Sequence, residues 1–285
     1  MKPEISGKTI VAGVAGSPVR HSLSPLIHNA WLEAAGLDGV YVAFSPSAER
    51  FTAFAEGLRG GAVRGLNVTA PFKEAALAVA DQASATARAA GSANLLIFET
   101  DGAIHADSTD GEGLLGAFSD QVPAFDPAAG PIAILGAGGA ARAAAAAFLF
   151  AGAPRVDLVA RTIARAETLT ATLGPRVRSV GAEELEDVFA EVRAVINATP
   201  LGLGGAPGPD APLRCLPPDC VVMDMVYRPV RTAFLEAARA HGLATVDGLA
   251  MLVGQARPSF KRFFGRSPPA IDVRALALAS LEKDR

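Results

Sequence analysis

Along this chain, short runs of β-branched and apolar residues alternate with longer alanine- and leucine-rich stretches of helical period. That is the pattern of parallel strands covered by helices. Ile10 to Ala15, Val40 to Phe44, Gly65 to Val68 and Ala93 to Phe98 read as strands with helices between them. Ser24-Pro25 marks a helix start, with Ser24 placed to cap the free amides and Pro25 in the first turn, where its missing N–H costs nothing. After Asp110 one helix leads into Val122 to Gly130, too rich in proline and glycine to continue it.

The pattern then restarts. Pro131 to Leu135 reads as a buried strand, Ala140 to Ala151 as its helix, and Val156 to Val159 as the next strand, the first half of a doubly wound nucleotide-binding unit. Val192 to Asn197 and Val221 to Met225 add two strands around a Pro/Gly-rich loop, and Asp247 to Phe264 and Ala270 to Leu281 are helical. The expected architecture is two α/β domains. The first is a mainly parallel sheet formed by residues 1–112 and completed by 247–285 as the closing helices return to it. The second, 113–246, is Rossmann-like.

With 285 residues, half of them apolar, the chain has ample material for two cores. A net charge of −3 without a basic block argues against nucleic acid and for a small ligand in a local site. Met1-Lys2-Pro3-Glu4 opens no signal-peptide pattern, and the richest apolar run, Ala143 to Ala151, is far below the ~20 residues that span a bilayer. A cytoplasmic protein is expected. Cys215 and Cys220, without neighbouring histidines or a second pair, read as ordinary free thiols, and no metal site is expected.

Candidate chemistry lies in two places. The turn Gly136-Ala137-Gly138-Gly139-Ala140-Ala141 follows a strand and opens a helix: Gly136 permits the tight turn, Gly138 lets the backbone approach a pyrophosphate, and Ala141 allows close helix packing. About 20 residues on, where an acid would accept a ribose hydroxyl, stand Ala160-Arg161-Thr162 and then Arg165, while Asp157 lies at the strand's other end. Guanidinium groups there favour NADP. Before this unit begins come Lys73 in Asn67-Val68-Thr69-Ala70-Pro71-Phe72-Lys73 and Asp110 in Ser108-Thr109-Asp110-Gly111.

These segments, with His21-Ser22-Leu23-Ser24-Pro25, His28-Asn29, Ser92-Ala93-Asn94, Asn197 to Gly202, Asp224 to Tyr227, and Asp247 to Leu252 with Gln255, stand in the order of the shikimate dehydrogenase family, which the chain resembles over nearly its whole length. The resemblance implies NADPH-dependent, reversible reduction of 3-dehydroshikimate to shikimate in aromatic amino acid biosynthesis. It implies Lys73 and Asp110 as the catalytic pair, and Ser22, Ser24, Asn67, Thr69, Asn94, Tyr227 and Gln255 around the substrate. The nucleotide falls to Gly136, Ala137, Gly138, Gly139, Ala140, Arg161, Thr162, Arg165, Thr199, Met225 and Gly248. A homodimer is an open expectation. His21 and His28 are read as structural or as groups that support the site from behind its lining residues, and Trp31 as core.

Three positions depart from the family pattern: Leu95 where it has threonine, Ser108 where it has asparagine, and Ala160 where it has asparagine. They leave open a paralogue that oxidises quinate or an amino-substituted analogue with either nucleotide. A nucleotide-binding sensor without turnover is the alternative from another class.

Overall fold

The computed structural model describes residues 5–61 and 63–283; the first four residues, read above as opening no signal peptide, lie outside them. In chain order its elements are β1 (Ile10–Ala15), α1 (Ser24–Ala35), β2 (Gly39–Phe44), α2 (Phe51–Glu56), β3 (Val63–Val68), α3 (Lys73–Val79), β4 (Gln82–Ala83), α4 (Ala85–Ala90), β5 (Leu95–Phe98), β6 (Ile104–Asp107), α5 (Asp110–Gln121), β7 (Ile132–Leu135), α6 (Gly139–Phe150), β8 (Val156–Val159), α7 (Ile163–Leu173), β9 (Val177–Val180), α8 (Leu185–Phe189), β10 (Ala194–Asn197), β11 (Val221–Asp224), α9 (Ala233–Ala240), β12 (Ala244–Asp247), α10 (Gly248–Phe264) and α11 (Val273–Lys283). The chain divides into two units, Met1–Asp110 with Val253–Arg285, and Gly111–Leu252.

The first unit is built on a sheet of order β2-β1-β3-β5-β6-β4. It is mixed. β1 pairs in parallel with β2 and β3, and β4 with β6, but β5 runs antiparallel to both β3 and β6. The reversal has a local cause. Only Glu99 to Ala103 separate β5 from β6, with Gly102 at φ +91° and the Glu99 amide donating to the Ala103 carbonyl, and a connection this short closes a hairpin. One face of the sheet packs Leu66, Val68, Leu96 and Ile104 against Phe51 and Ala55 of α2, Phe72 just before α3 and Ala76 within it. Elsewhere in the unit, α1, β2 and α10 bring together His28, Trp31, Tyr41, Phe260 and Phe263, all buried. Trp31 is core, as its sequence setting suggested.

The second unit is a six-stranded parallel sheet of order β12-β11-β10-β7-β8-β9. Its strands bury both faces, which is why they read as nearly unbroken apolar runs. Ile132, Ile134, Val156, Leu158, Ile196 and Met223 belong to one core with α5 and α6, while Ala133, Leu135, Val195 and Val222 belong to the other with Phe189, Phe234 and Leu235. Four strands, β4, β6, β9 and β12, were not anticipated from the sequence. Each is short and interrupted by polar residues, Gln82, His105, Arg178 and Thr245, so none stands out as an apolar run as β7 does. No described helix is long and apolar enough to cross a membrane.

Candidate active site

In the first unit, Lys73 is the first residue of α3 and Asp110 the first of α5, and their side chains meet: Lys73 Nζ lies 2.6 Å from Asp110 Oδ2. The other carboxylate oxygen accepts from Asn94 Nδ2 at 2.9 Å. Asn94 is itself held, since its Oδ1 accepts the Thr109 amide at 2.7 Å. Both oxygens of Asp110 are thus directed. The lysine side chain is 34% exposed and that of Asp110 12%, so the ammonium faces out while its counter-charge stays in the wall.

The other predicted residues of this unit surround the same wall. Gln255, on α10, places Oε1 3.4 Å from Asn94 Nδ2. Asn67, at the end of β3, donates through Nδ2 to the Asn94 carbonyl at 3.1 Å and to Ser259 Oγ at 2.8 Å. Thr69 follows β3, its amide donating to the Ala15 carbonyl at 2.9 Å. Ser22 and Ser24 stand at the start of α1. Here the structure corrects the sequence reading: Leu23, not Ser24, holds the cap position and makes no side-chain cap bond. Ser24 has entered the first turn, its hydroxyl faces the buried Tyr41 phenol, and its amide donates instead to Ser22 Oγ at 3.3 Å.

Three members of this network, Thr109, Ser259 and Tyr41, were not among the predicted site residues. Thr109 was visible beside Asp110. The other two carried no local signal, because a serine next to Pro258 in a helix and a tyrosine in an edge strand are individually unremarkable. Among the departures from the family pattern, Leu95 is fully buried and pairs across β5 with Asn67 and Asp107, so it acts from inside the sheet. Ser108 is buried as well. His21 is exposed and His28 buried, and among the described residues no group of three or more His, Cys, Asp or Glu could hold a metal.

In the second unit the strand register lines up the predicted nucleotide residues. Val159, Leu135, Asn197, Asp224 and Asp247 are neighbours across five adjacent strands at their carboxyl ends. Gly136, Arg161, Thr199, Met225 and Gly248 each follow one of these by one or two residues. Parallel sheets bind ligands at this edge, where the strand order reverses between β7 and β10. Gly136 has φ +122°, and a Cβ there would come within 3.3 Å of the Ala198 carbonyl and the Thr199 methyl, so both backbone and space demand glycine. At Gly248 a Cβ would lie 2.4 Å from the Met225 carbonyl. Gly138 and Gly139 open onto empty space, and the first helical rung of α6 runs from the Arg142 amide to the Gly138 carbonyl. The amides ahead of that rung, with Ala137 and Ala140 in the same turn, lie at the start of α6, where backbone N–H groups have no acceptor within the helix.

Arg161 and Arg165 are exposed, with Thr162 at the cap of α7, and no described carboxylate pairs with either arginine. Asp157, the only acid of β8, is fully buried between Arg155 at 3.0 Å and Arg178 at 2.6 Å and is unavailable to a ribose. Asn197 and Asp224 brace the edge: Asp224 accepts from Asn197 Nδ2 at 2.9 Å, Thr232 Oγ1 at 2.7 Å and the Val226 amide at 3.0 Å. Burial nonetheless raises the Asp224 carboxyl above its ordinary range. Tyr227, half-buried, belongs to this unit, and burial raises its phenol too. Cys220 is buried with its thiol pushed up to about 12, which makes it unreactive.

Sequence comparison extends over the whole chain. A curated NADP(+)-dependent shikimate dehydrogenase from Caulobacter vibrioides is 59% identical over 282 residues, covering 99% of both chains. This chain belongs to the shikimate dehydrogenase family. Residues 14–96 match the family's substrate-binding domain. The solved shikimate 5-dehydrogenase of Thermus thermophilus in complex with NADP(H) and shikimate superposes with a TM-score of 0.82 at 34% identity, over 96% of this chain and 98% of that one. The quinate dehydrogenase of Corynebacterium glutamicum in complex with NAD superposes with a TM-score of 0.85 at 28% identity, over 97% and 99%.

Proposed function

We propose that this shikimate dehydrogenase family member catalyses the reversible reduction of 3-dehydroshikimate to shikimate with NADPH, Lys73 and Asp110 forming the catalytic pair. The observation that carries the reading is the directed ion pair. Reducing a ketone adds a hydride to carbon and a proton to oxygen, and only groups placed at the oxygen assist the second part. Lys73 Nζ donates a hydrogen bond to the carbonyl oxygen, stabilises the charge that develops on it, and hands over a proton. Asp110 keeps the ammonium aimed and, with both oxygens already engaged, serves as acceptor and orienter. The partly exposed lysine is reprotonated from water.

The ring of the substrate carries hydroxyls and one carboxylate. Asn94, Gln255, Thr69 and Asn67 present amides and a hydroxyl to the former; Ser22 and Ser24 meet the latter. Wrong ligands are rejected because they leave such groups unpaired.

The nucleotide fits the edge of the second sheet: open space over Gly138 and Gly139, free amides at the start of α6, and exposed guanidinium groups at Arg161 and Arg165. When bound, NADPH supplies the hydride. The two arginines suit a 2′-phosphate, and the end of β8, Val159-Ala160-Arg161, carries no acid to repel it. The 59% identity to an NADP(+) enzyme supports the same choice.

Initial rates of the purified protein with shikimate and with quinate, each against NADP and NAD, test the reading by the absorbance of reduced nicotinamide. Shikimate with NADP is expected to be the best pair. A higher kcat/KM for quinate with NAD would overturn it.

A further inference from the structure

The His28-Asn29 pair belongs to the sequence pattern, yet neither residue is needed by the chemistry above. The structure connects both to one tyrosine. Asn29 clamps the Tyr41 backbone from both sides, its Nδ2 donating to the Tyr41 carbonyl at 2.8 Å and its Oδ1 accepting the Tyr41 amide at 3.0 Å. His28 lies flat against the Tyr41 ring, with centroids 4.0 Å apart and planes 6° apart. Neither imidazole nitrogen has a hydrogen-bond partner, so His28 contributes a plate and not a donor. Trp31 and Phe260 back it from the other directions. The Tyr41 ring therefore has little freedom to move.

That ring ends in the site wall. The Tyr41 hydroxyl, fully buried, donates to Asn67 Oδ1 at 2.8 Å, while the Asn67 nitrogen is committed to Ser259 Oγ and to the carbonyl of Asn94. An asparagine amide is fixed only when its oxygen meets a donor and its nitrogen meets acceptors, and here Tyr41 supplies the oxygen's donor. We propose that Tyr41, held by His28 and Asn29, is a positioning residue for substrate recognition: its hydroxyl fixes the Asn67 amide, and through it the backbone of Asn94, whose side chain faces the ring hydroxyls. This rests on the proposed shikimate reading. Without the hydroxyl, the Asn67 oxygen is left buried without a donor. The amide then gains by leaning toward water and takes its partners out of register.

The test is Tyr41→Phe, which keeps the ring and its stacking. The KM for shikimate is expected to rise about tenfold with kcat within about threefold and the KM for NADP unchanged. Adding Asn67→Ala to Tyr41→Phe should worsen KM by much less than Asn67→Ala does alone, because both remove one interaction. An unchanged shikimate KM in Tyr41→Phe, or effects of the two substitutions that multiply in full, would overturn the proposal even if thermal stability falls, since a purely structural tyrosine lowers the melting temperature without splitting KM from kcat. If the unsubstituted protein fails to turn over shikimate at all, the functional reading falls and this inference with it.

Discussion

Lys73 and Asp110, 37 positions apart in the chain, form an ion pair at 2.6 Å in which each is the first residue of its helix. Asp110 accepts from Lys73 through one carboxylate oxygen and from Asn94 through the other. The lysine is aimed by a group that does not itself need to move.

Replacing Lys73 by Ala is expected to lower kcat by about 10²–10⁴-fold, the range for loss of a positioned proton donor. NADPH affinity, followed by nucleotide fluorescence, should stay within a few-fold. Turnover near that of the unsubstituted protein would remove the lysine from the mechanism.

Arg161→Ala is expected to weaken NADP by about 10- to 100-fold, the loss of a charge-assisted hydrogen bond, with little effect on NAD. Adding Ala160→Asp should carry the preference toward NAD, because the new carboxylate accepts a ribose hydroxyl and repels a phosphate. Equal losses for both nucleotides would place Arg161 outside the discriminating contact.

His28 makes stability depend on pH. Burial lowers its imidazole from 6.5 to about 3, so between those values the unfolded chain binds a proton that the folded chain does not. Its contribution is whole above pH 6.5 and is lost as pH falls toward 3, about 2 kcal/mol at pH 5. Denaturant unfolding of His28→Phe at pH 7.5 and pH 5 should show a smaller drop than the unsubstituted protein by about that amount. Parallel pH profiles would show that the imidazole is protonated in the fold.

Asp224→Ala leaves Asn197, Thr232 and the Val226 amide without their shared acceptor, all of them buried. Stability is expected to fall by about 2–5 kcal/mol in urea unfolding. NADP affinity should fall as well, since Asn197 Oδ1 holds the Thr199 hydroxyl at 2.6 Å. A change below 0.5 kcal/mol would mean that water replaces the carboxylate at no cost.

Most strands, the glycine turn and its helix, and the ordered motifs around Lys73 and Asp110 were legible in the amino-acid sequence, because each rests on local properties: apolar period, turn chemistry, and a glycine where φ is positive. Tertiary structure alone decided four things. It turned β5 antiparallel, because a hairpin connection leaves no room for a crossover. It aligned Val159, Leu135, Asn197, Asp224 and Asp247 on one sheet edge, because register is set by strand pairing and not by spacing along the chain. It withdrew Ser24 from the cap, because a hydroxyl goes to the buried partner that folding brings to it. And it joined Tyr41 to Asn67 and Ser259, residues from a strand, another strand and a helix 218 positions from the first. Such contacts leave no local trace, since a hydrogen bond depends on distance in space, whereas periodicity records only which side of an element faces the core.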